Sequence, residues 1–213
     1  METIKEHKRV YDIPDFVLEK KPLYDFFKRF FDILLSFLAI VLCALPMAVI
    51  AVCIKADSKG TVIYKQERLG KDGKPFMLYK FRSMREDAEE DGAKWAEEND
   101  IRCTRVGRFL RKSRLDELPQ FFNIIGGQMS LVGPRPERKV FYDLFEKNIH
   151  GFGLRMKVKP GLTGHAQVNG GYDLLPEEKI VYDIEYIKNR SLAFDTRCIL
   201  KTVAVVFNHN GAR

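Results

Sequence analysis

Residues 33–54 read ILLSFLAIVLCALPMAVIAVCI, a run of 22 residues without a charged side chain. As a helix this run would extend about 33 Å, which is enough to cross the hydrocarbon core of a bilayer. It is not a signal peptide, because it starts late and no small-residue cleavage site follows it. The run predicts one membrane anchor, and a mean hydropathy of −0.23 excludes a protein with many membrane spans.

Two features of the run argue against a simple crossing of the membrane. Pro46 removes a helix hydrogen bond, and the segments on its two sides, 33–45 and 47–54, are each too short to span alone. Both flanks are basic, and residues 55–85 alone carry nine Lys or Arg against three acids. Basic flanks stay in the cytoplasm, so a re-entrant hairpin satisfies both observations. The alternative is a single crossing helix with a tolerated proline kink.

The apolar run divides the chain into three predicted parts, which are an N-terminal surface arm (1–21), a membrane helix that Pro22 opens (22–54) and a cytoplasmic domain (55–213). Strand composition on both sides of a turn-rich segment predicts a β-hairpin in that domain. Apolar residues at helical spacing predict amphipathic or short apolar helices over 138–149, 176–190 and 196–207. The expected fold is therefore mainly α with a small β-hairpin, a proline-broken re-entrant helix and amphipathic surface helices.

The composition restricts the function. The chain has 36 Lys and Arg against 29 Asp and Glu, a net charge of +7, which favours an acidic partner such as nucleic acid, anionic lipid or a phosphorylated substrate. No P-loop, dinucleotide-binding, HExxH or GxSxG motif occurs. The cysteines form no CxxC pair and are expected to be reduced and buried; they are Cys43, Cys53, Cys103 and Cys198.

The densest group of polar residues lies in SRLDELPQFFNIIGG, residues 113–127. Pro119 cannot lie deep in a helix, so the helix is expected to begin near Asp116, with Asp116 as N-cap and Glu117 in the first turn. A functional interpretation stands beside this capping one. The two carboxylates could hold Mg²⁺ while nearby arginines bind phosphate oxygens, or Asp116 could attack phosphorus and form an acyl phosphate. Those arginines, spaced by three upstream of Asp116, could equally form a solvated or lipid-facing stripe.

Two further segments could contribute to a site. LVGPRPE (131–137) holds Arg135 between two prolines, which either aims its guanidinium or simply makes a rigid loop. KPGLTG (159–164) has glycines that would permit close approach of a ligand, but a plain turn is the simpler interpretation.

Taken together, these motifs resemble a known family. KRFFD (28–32), YKFRSM (79–84), the stretch from RVGRFL to VGPRPE (105–137) and KPGLTGHAQVNG (159–170) occur in the order found in the bacterial sugar transferases. These are the monotopic phosphoglycosyl transferases, and the resemblance covers about residues 24–210. The chain is similar to the short form, without the multi-span N-terminal region of larger members.

The resemblance implies a reaction, a location and partners. A sugar 1-phosphate would pass from a UDP-sugar to polyprenyl (undecaprenyl) phosphate, with release of UMP, as the first membrane step of exopolysaccharide or glycan assembly. Asp116 would be the nucleophile that forms an aspartyl-phosphosugar, and Glu117 would bind the Mg²⁺ cofactor. The enzyme would lie at the cytoplasmic face of the bacterial inner membrane, with 55–213 as its catalytic domain. Its partners would be these substrates, membrane lipid and downstream glycosyltransferases, and not nucleic acid.

The resemblance also assigns supporting residues. Lys80, Arg111 and Arg135 match positions for phosphate binding or active-site structure, and Asp183 and Asp195 match acids with a structural or supporting role. The chain departs from the family pattern at three positions. Leu45 stands where members often have Ser before the helix-breaking proline, and His165 and Gly171 lie where nucleotide or sugar contacts could differ.

Two rival functions remain at this point. A membrane-bound Mg²⁺ phosphohydrolase would use the same acids and arginines with water as acceptor. A non-catalytic basic membrane scaffold would bind polyanions and would tolerate the change Asp116→Asn.

Overall fold

The computed structural model describes residues 11–90, 100–170 and 174–208. Within these ranges the chain forms seven helices, which are α1 Pro22–Asp57, α2 Arg105–Ser113, α3 Gln120–Ile125, α4 Lys139–Glu146, α5 His165–Val168, α6 Pro176–Asn189 and α7 Leu192–Asn208. The strands are β1 Tyr11–Asp12, β2 Ile63–Leu69, β3 Pro75–Phe81, β4 Ser130–Val132, β5 Ile149–His150 and β6 Gly161–Thr163. Residues 1–10 of the expected arm, residues 91–99 and Gly171 lie outside the described residues.

The prediction of a mainly helical chain with one β-hairpin is confirmed. β2 and β3 pair antiparallel over seven residues each, with Ile63 opposite Phe81. The structure adds two short parallel pairs that the sequence did not predict, β1 with β5 and β4 with β6. The helices expected over 138–149, 176–190 and 196–207 are present as α4, α6 and α7.

Helix α1 begins at Pro22, as expected, and its N-terminal part is fixed to the domain by polar contacts. Lys28 Nζ lies 3.0 Å from the carboxylate of Asp195 on α7. Arg29 donates to the backbone carbonyls of Ile124 and Ile125 at the end of α3. Asp32 accepts from the Oγ of Ser130 and from the amide of Leu131. These contacts hold the start of the apolar run against the domain.

The C-terminal part of α1 packs against the same domain by a different means. Ile50 and Ile54 are buried in a cluster with Phe81 of β3 and Leu110 of α2. Asp57 accepts a 3.0 Å hydrogen bond from the amide of Val106 at the start of α2. Both ends of the 36-residue helix therefore contact the domain.

The middle of α1 is exposed and apolar. Only 11% of its most apolar 18-residue window is buried, and the helix is long and apolar enough to cross a membrane. α1 is one helix with Pro46 inside it, so no break at Pro46 is seen. The re-entrant course stays a prediction.

The expectation that all four cysteines are buried is wrong. Cys103 and Cys198 are buried, but Cys43 is only partly buried and Cys53 is exposed. The last two lie on α1, whose apolar side chains largely face outward. All four are unpaired thiols, as expected.

Two clusters build the core of the domain. The larger one joins α4, α6 and α7 to β4, and consists of Val132, Tyr142, Ile149, Phe152, Ile180, Ile184, Tyr186, Ile187 and Cys198. A smaller one packs α3 on β3 through Phe76, Leu78, Ile124 and Met129. The second contact matters for the site, because β3 carries Lys80 and the chain leading into α3 carries Asp116 and Glu117.

Candidate active site

The two candidate carboxylates lie in a 3₁₀ turn, Leu115–Glu117, between α2 and α3. Arg114 adopts φ 57, a left-handed conformation that ends α2 and turns the chain. Leu115 and Leu118 then pack against the cluster that holds the end of α1, while Asp116 and Glu117 line a cavity. The backbone turn and its two leucines therefore direct both carboxylates to the cavity.

The capping interpretation of Asp116 is wrong. α3 begins at Gln120, with Pro119 just before it, and neither this helix nor the 3₁₀ turn has a side-chain cap. Asp116 is 7% exposed, and the ammonium of Lys80 lies 3.8 Å from its Oδ2. The proline forces the helix to start later than the acids, so they belong to the preceding turn.

Glu117 lies between two cations that come from separate elements. Its Oε1 lies 3.1 Å from Nζ of Lys80 and 2.6 Å from Nη2 of Arg135. Lys80 is on β3, and Arg135 is in the loop after β4. Lys80 Nζ is also 3.8 Å from Oδ2 of Asp116. The structure thus brings together four of the residues singled out in the sequence, and the closest ion pairs are made by Glu117, not Asp116.

The two adjacent carboxyls have opposite pKa shifts. Burial raises the pKa of Asp116, Lys80 offsets part of this, and the negative charge of Glu117 adds to it. Burial also acts to raise the pKa of Glu117, but Arg135 and Lys80 outweigh it and hold that pKa well below its usual range. Glu117 is therefore the ionised partner at any physiological pH, and Asp116 is the more basic carboxylate.

The cavity around these groups has a volume of about 420 Å³ and is strongly basic. Eleven Lys or Arg side chains line it, against five acids. Arg111 lines it, as the sequence predicted, whereas Arg105 and Arg108 of the same helix are not among the lining residues. The arginine stripe thus divides between the cavity and the outside of α2, and the cavity part suits a substrate with several phosphate charges.

The loop that carries Arg135 is fixed by the pairing of β4 with β6. Gly133 donates to Thr163 O, and Gly161 donates to Pro134 O, both at 2.9 Å. A Cβ on Gly161 would lie 2.1 Å from Gly133 N, so the glycines let the two backbones approach each other. The expectation that KPGLTG is a plain turn is wrong, because the segment forms strand β6 against the Arg135 loop. The close approach of a ligand to its glycines stays a prediction.

Asp183 and Asp195 lie outside the cavity lining and form contacts inside the protein. Asp183 is paired with Arg155 at 2.6 Å, with both side chains buried. Asp195 accepts hydrogen bonds from Tyr24, Lys28 and Tyr186 and so joins α1 to α7. This geometry fits the structural or supporting role that the resemblance implies for both.

The sequence did not identify three residues that build the site. Asn123, fully buried, bonds to the amide of Tyr79 and the carbonyl of Met77 and so fixes α3 on β3. Arg155 and Gln167 are buried side chains of the cavity wall. Asn123 lies within the polar stretch 113–127, and Gln167 lies within the motif 159–170, although neither residue was singled out. The sequence around Arg155 gives no signal of a role.

The site could hold a divalent cation only with help from a ligand. No group of three His, Cys, Asp or Glu that could bind a metal occurs in the described ranges. Mg²⁺ is commonly held by one or two carboxylates and the phosphates of a substrate, which Asp116 and Glu117 can satisfy. Glu117 uses Oε1 for its contacts with both Lys80 and Arg135.

Comparison with known proteins identifies the family of the chain. A family model described as bacterial sugar transferase matches residues 23–209. A UDP-N-acetylgalactosamine-undecaprenyl-phosphate N-acetylgalactosaminephosphotransferase of Aeromonas hydrophila is 46% identical over 195 residues, which are 90% of this chain and 46% of that protein. A UDP-glucose:undecaprenyl-phosphate glucose-1-phosphate transferase of Klebsiella pneumoniae is 47% identical over 191 residues, 87% of this chain and 41% of that protein.

The chain spans less than half the length of these two curated relatives. A shorter relative from Bacillus subtilis (strain 168) is 50% identical over 149 residues, which are 69% of this chain and 83% of that protein. Because the family model covers most of the sequence, the chain belongs to the bacterial sugar transferase family.

Proposed function

We propose that this protein transfers a sugar 1-phosphate from a UDP-sugar to undecaprenyl phosphate, with release of UMP, through a covalent intermediate on Asp116. The observation that carries the proposal is the pair of buried carboxylates in a basic cavity. Glu117 is ion-paired with Lys80 and Arg135, and Asp116 lies 3.8 Å from Lys80. Two relatives are named as undecaprenyl-phosphate transferases of this kind, which supports the substrate class.

The two carboxylates have different roles in the proposed reaction. Asp116 attacks the phosphorus that carries the sugar, so that an aspartate–phosphorus bond forms and the bond to UMP breaks, with its electron pair leaving on UMP. A phosphate oxygen of the lipid acceptor then attacks the same phosphorus and releases the aspartate. Glu117, fixed by Lys80 and Arg135, keeps its charge throughout and orients these cations toward the phosphates.

Mg²⁺ is the proposed cofactor. Glu117, with Asp116 beside it, would hold the ion together with the substrate phosphates, and the ion would neutralise charge on the diphosphate. Arg111 and Arg135 supply positive charge from the protein for the same phosphates.

We further propose that α1 bends at Pro46 while staying helical, so that it enters the membrane from the cytoplasmic face and returns to it. Both ends of the helix contact one domain, through Asp195 and Ser130 at its start and through Leu110 and Val106 at its end. The basic flanks of the run favour the cytoplasm for both ends. The protein would thus lie at the cytoplasmic face of the inner membrane, where downstream glycosyltransferases would take up its lipid product.

Withholding the lipid acceptor tests the proposal. Enzyme with Mg²⁺ and the correct UDP-sugar should release about one UMP per active site and then stop, as covalent catalysis requires. The stalled enzyme should carry a sugar-phosphate mass on the peptide that contains Asp116 after rapid quenching. Steady UMP release with free sugar phosphate would instead identify a phosphohydrolase, and the absence of a burst and an adduct would remove Asp116 from the nucleophile role.

A further inference from the structure

Arg155 is a buried arginine with one unused hydrogen-bond group in the wall of the cavity. The residue is 2% exposed, its Nε donates to Asp183 at 2.6 Å, and its Nη2 donates to the carbonyl of Arg135 at 3.1 Å. Its Nη1 has no hydrogen-bond partner among the residues that the structure describes, and the side chain lines the cavity. Leaving a buried N–H group without an acceptor is costly, so this group calls for a bound partner.

Gln167 presents the complementary group in the same cavity wall. Its Nε2 donates to the carbonyl of Leu162, while its Oε1 is buried and accepts no hydrogen bond within the described part of the chain. A Cβ on Gly164 would lie 2.4 Å from this Oε1, so the glycine makes room for the side chain beside the Arg135 loop. Arg155 and Gln167 therefore both line one cavity, and each has a buried polar atom without a hydrogen-bond partner within the described residues.

The charge around Arg155 argues against a phosphate as its partner. Asp183 already neutralises the guanidinium at close range, and Glu137 adds a second negative charge nearby. Lys80, Arg111 and Arg135 line the same cavity and supply side-chain cations that match phosphate. A neutralised donor beside an amide acceptor suits neutral polar groups, such as hydroxyl and carbonyl groups.

We propose that Arg155 Nη1 and Gln167 Oε1 form a subsite that binds neutral oxygen-bearing groups of the nucleotide sugar, on its sugar ring or on its uracil ring. The identity of the ligand rests on the proposed function, but the subsite is defined by the two unpartnered groups. Arg155 is held in place by Asp183, which gives that acid a purpose although it lies outside the cavity lining.

Binding measurements on the full chain in detergent test this subsite. The probes are UMP, which has uracil but no sugar, and the two donors UDP-N-acetylgalactosamine and UDP-glucose, titrated by calorimetry in the presence of Mg²⁺. Arg155→Lys keeps a charge for Asp183 but loses the Nη1 group, and Gln167→Met keeps the length of the side chain but loses its acceptor oxygen. Each variant should weaken binding of the donor that the unchanged protein prefers by about 5- to 20-fold, the value of one or two neutral hydrogen bonds.

The pattern across the probes identifies the bound group. Weaker binding of UMP together with the donors places the uracil in the subsite, whereas unchanged UMP binding with weaker donor binding places the sugar there. Arg190→Lys is the matched control, because Arg190 is also a buried arginine that donates to backbone carbonyls, and it is absent from the cavity lining. Its affinities should match those of the unchanged protein.

Two results separate failure of the subsite from failure of the proposed function. If the unchanged protein binds the probes and both variants bind them equally well, Arg155 and Gln167 are purely structural and the inference is overturned. If Arg155→Lys does not fold, Gln167→Met alone decides. If the unchanged protein binds neither UMP nor either donor, the proposed function fails, and the subsite loses its ligand with it.

Discussion

At the scale of single residues, the site depends on two neighbouring carboxylates that the same turn places in different surroundings. Glu117 is ion-paired with Lys80 and Arg135 at 3.1 and 2.6 Å, whereas Asp116 is buried with Lys80 at 3.8 Å. A clamped carboxylate is a poor nucleophile because its charge is already stabilised, while a more basic one retains its reactivity. The asymmetry therefore fits Asp116 as the group that attacks and Glu117 as the group that holds.

Asp116→Asn and Glu117→Gln should each abolish turnover while leaving the fold intact. Both changes preserve the shape of the side chain and remove its charge, and neither carboxylate caps a helix. Activity should be measured as UMP release, and folding by circular dichroism and thermal unfolding in detergent. Near-normal activity in either variant would show that its assigned role is wrong, whereas loss of folding would mean that the carboxylate is needed for the structure itself.

The pH dependence of the first half-reaction should report on Asp116. Burial raises the pKa of Asp116 and Lys80 lowers it, so the group must lose its proton above the usual range for Asp before it can attack. Lys80→Met removes the lowering charge and should shift the acid limb of the single-turnover rate to higher pH, besides reducing the rate. Lys65→Met is the control, because Lys65 lies on the same hairpin and is exposed. An unshifted limb in Lys80→Met would mean that another group titrates.

The sequence predicted the charged residues of the site better than the buried residues that hold them in place. Asp116, Glu117, Lys80 and Arg135 come together as the motifs suggested. Arg155 could not be identified, because its importance depends on Asp183, 28 positions away, and on a backbone carbonyl of the Arg135 loop. Contacts of this range leave no local pattern in the sequence.

At the scale of elements, the local sequence of α1 predicts the helix itself well. It does not predict how the helix packs against the domain. Its length, its proline start and its exposed apolar middle follow from composition. Its contacts with α2 and α7 depend on tertiary packing that periodicity does not report. The same holds for β6, where a glycine-rich segment that favours a turn becomes a strand because Gly133 lies against it.

Both ends of α1 should face the cytoplasm. Asp25 and Lys59 are exposed near the two ends, so each can be replaced by cysteine in a chain whose four native cysteines are removed. In intact cells neither site should react with a membrane-impermeant maleimide at the outer face of the inner membrane, and both should react after lysis. Labelling of one site from outside would show a helix that truly crosses.

Pro46→Leu extends the same test to the cause of the topology. It restores a backbone hydrogen bond within the apolar run and should shift part of the population toward a crossing helix. Leu45→Ala is the matched control, because it changes the neighbouring side chain without altering the backbone bonds. Equal labelling in the two variants would mean that the basic flanks and the docked ends alone set the topology.

At the scale of the whole molecule, the end of α1 and the domain share one hydrophobic cluster. The sequence suggested an anchor that ends at residue 54, followed by a separate domain. In the structure α1 continues to Asp57, and its last turns enter the cluster that supports β3 and the turn of Asp116. Ile54, at 2% exposure, touches a cluster that includes Phe81, next to Lys80, and Leu115, next to Asp116. The C-terminal end of α1 is thus part of the scaffold of the site.

Because this cluster is shared, we expect a change near the end of α1 to disturb catalysis. Ile54→Ala removes a buried side chain and should cost about 2–4 kcal/mol of stability, or roughly 4–16 °C in the thermal midpoint in detergent. The lipid-independent UMP burst should shrink with it, since Lys80 and Asp116 lose the packing beneath them. Val52→Ala is the control on the same helix, because Val52 is 69% exposed and its loss should change neither quantity measurably. If the two variants behave alike, the domain holds its site without the anchor, and α1 serves only to attach it to the membrane.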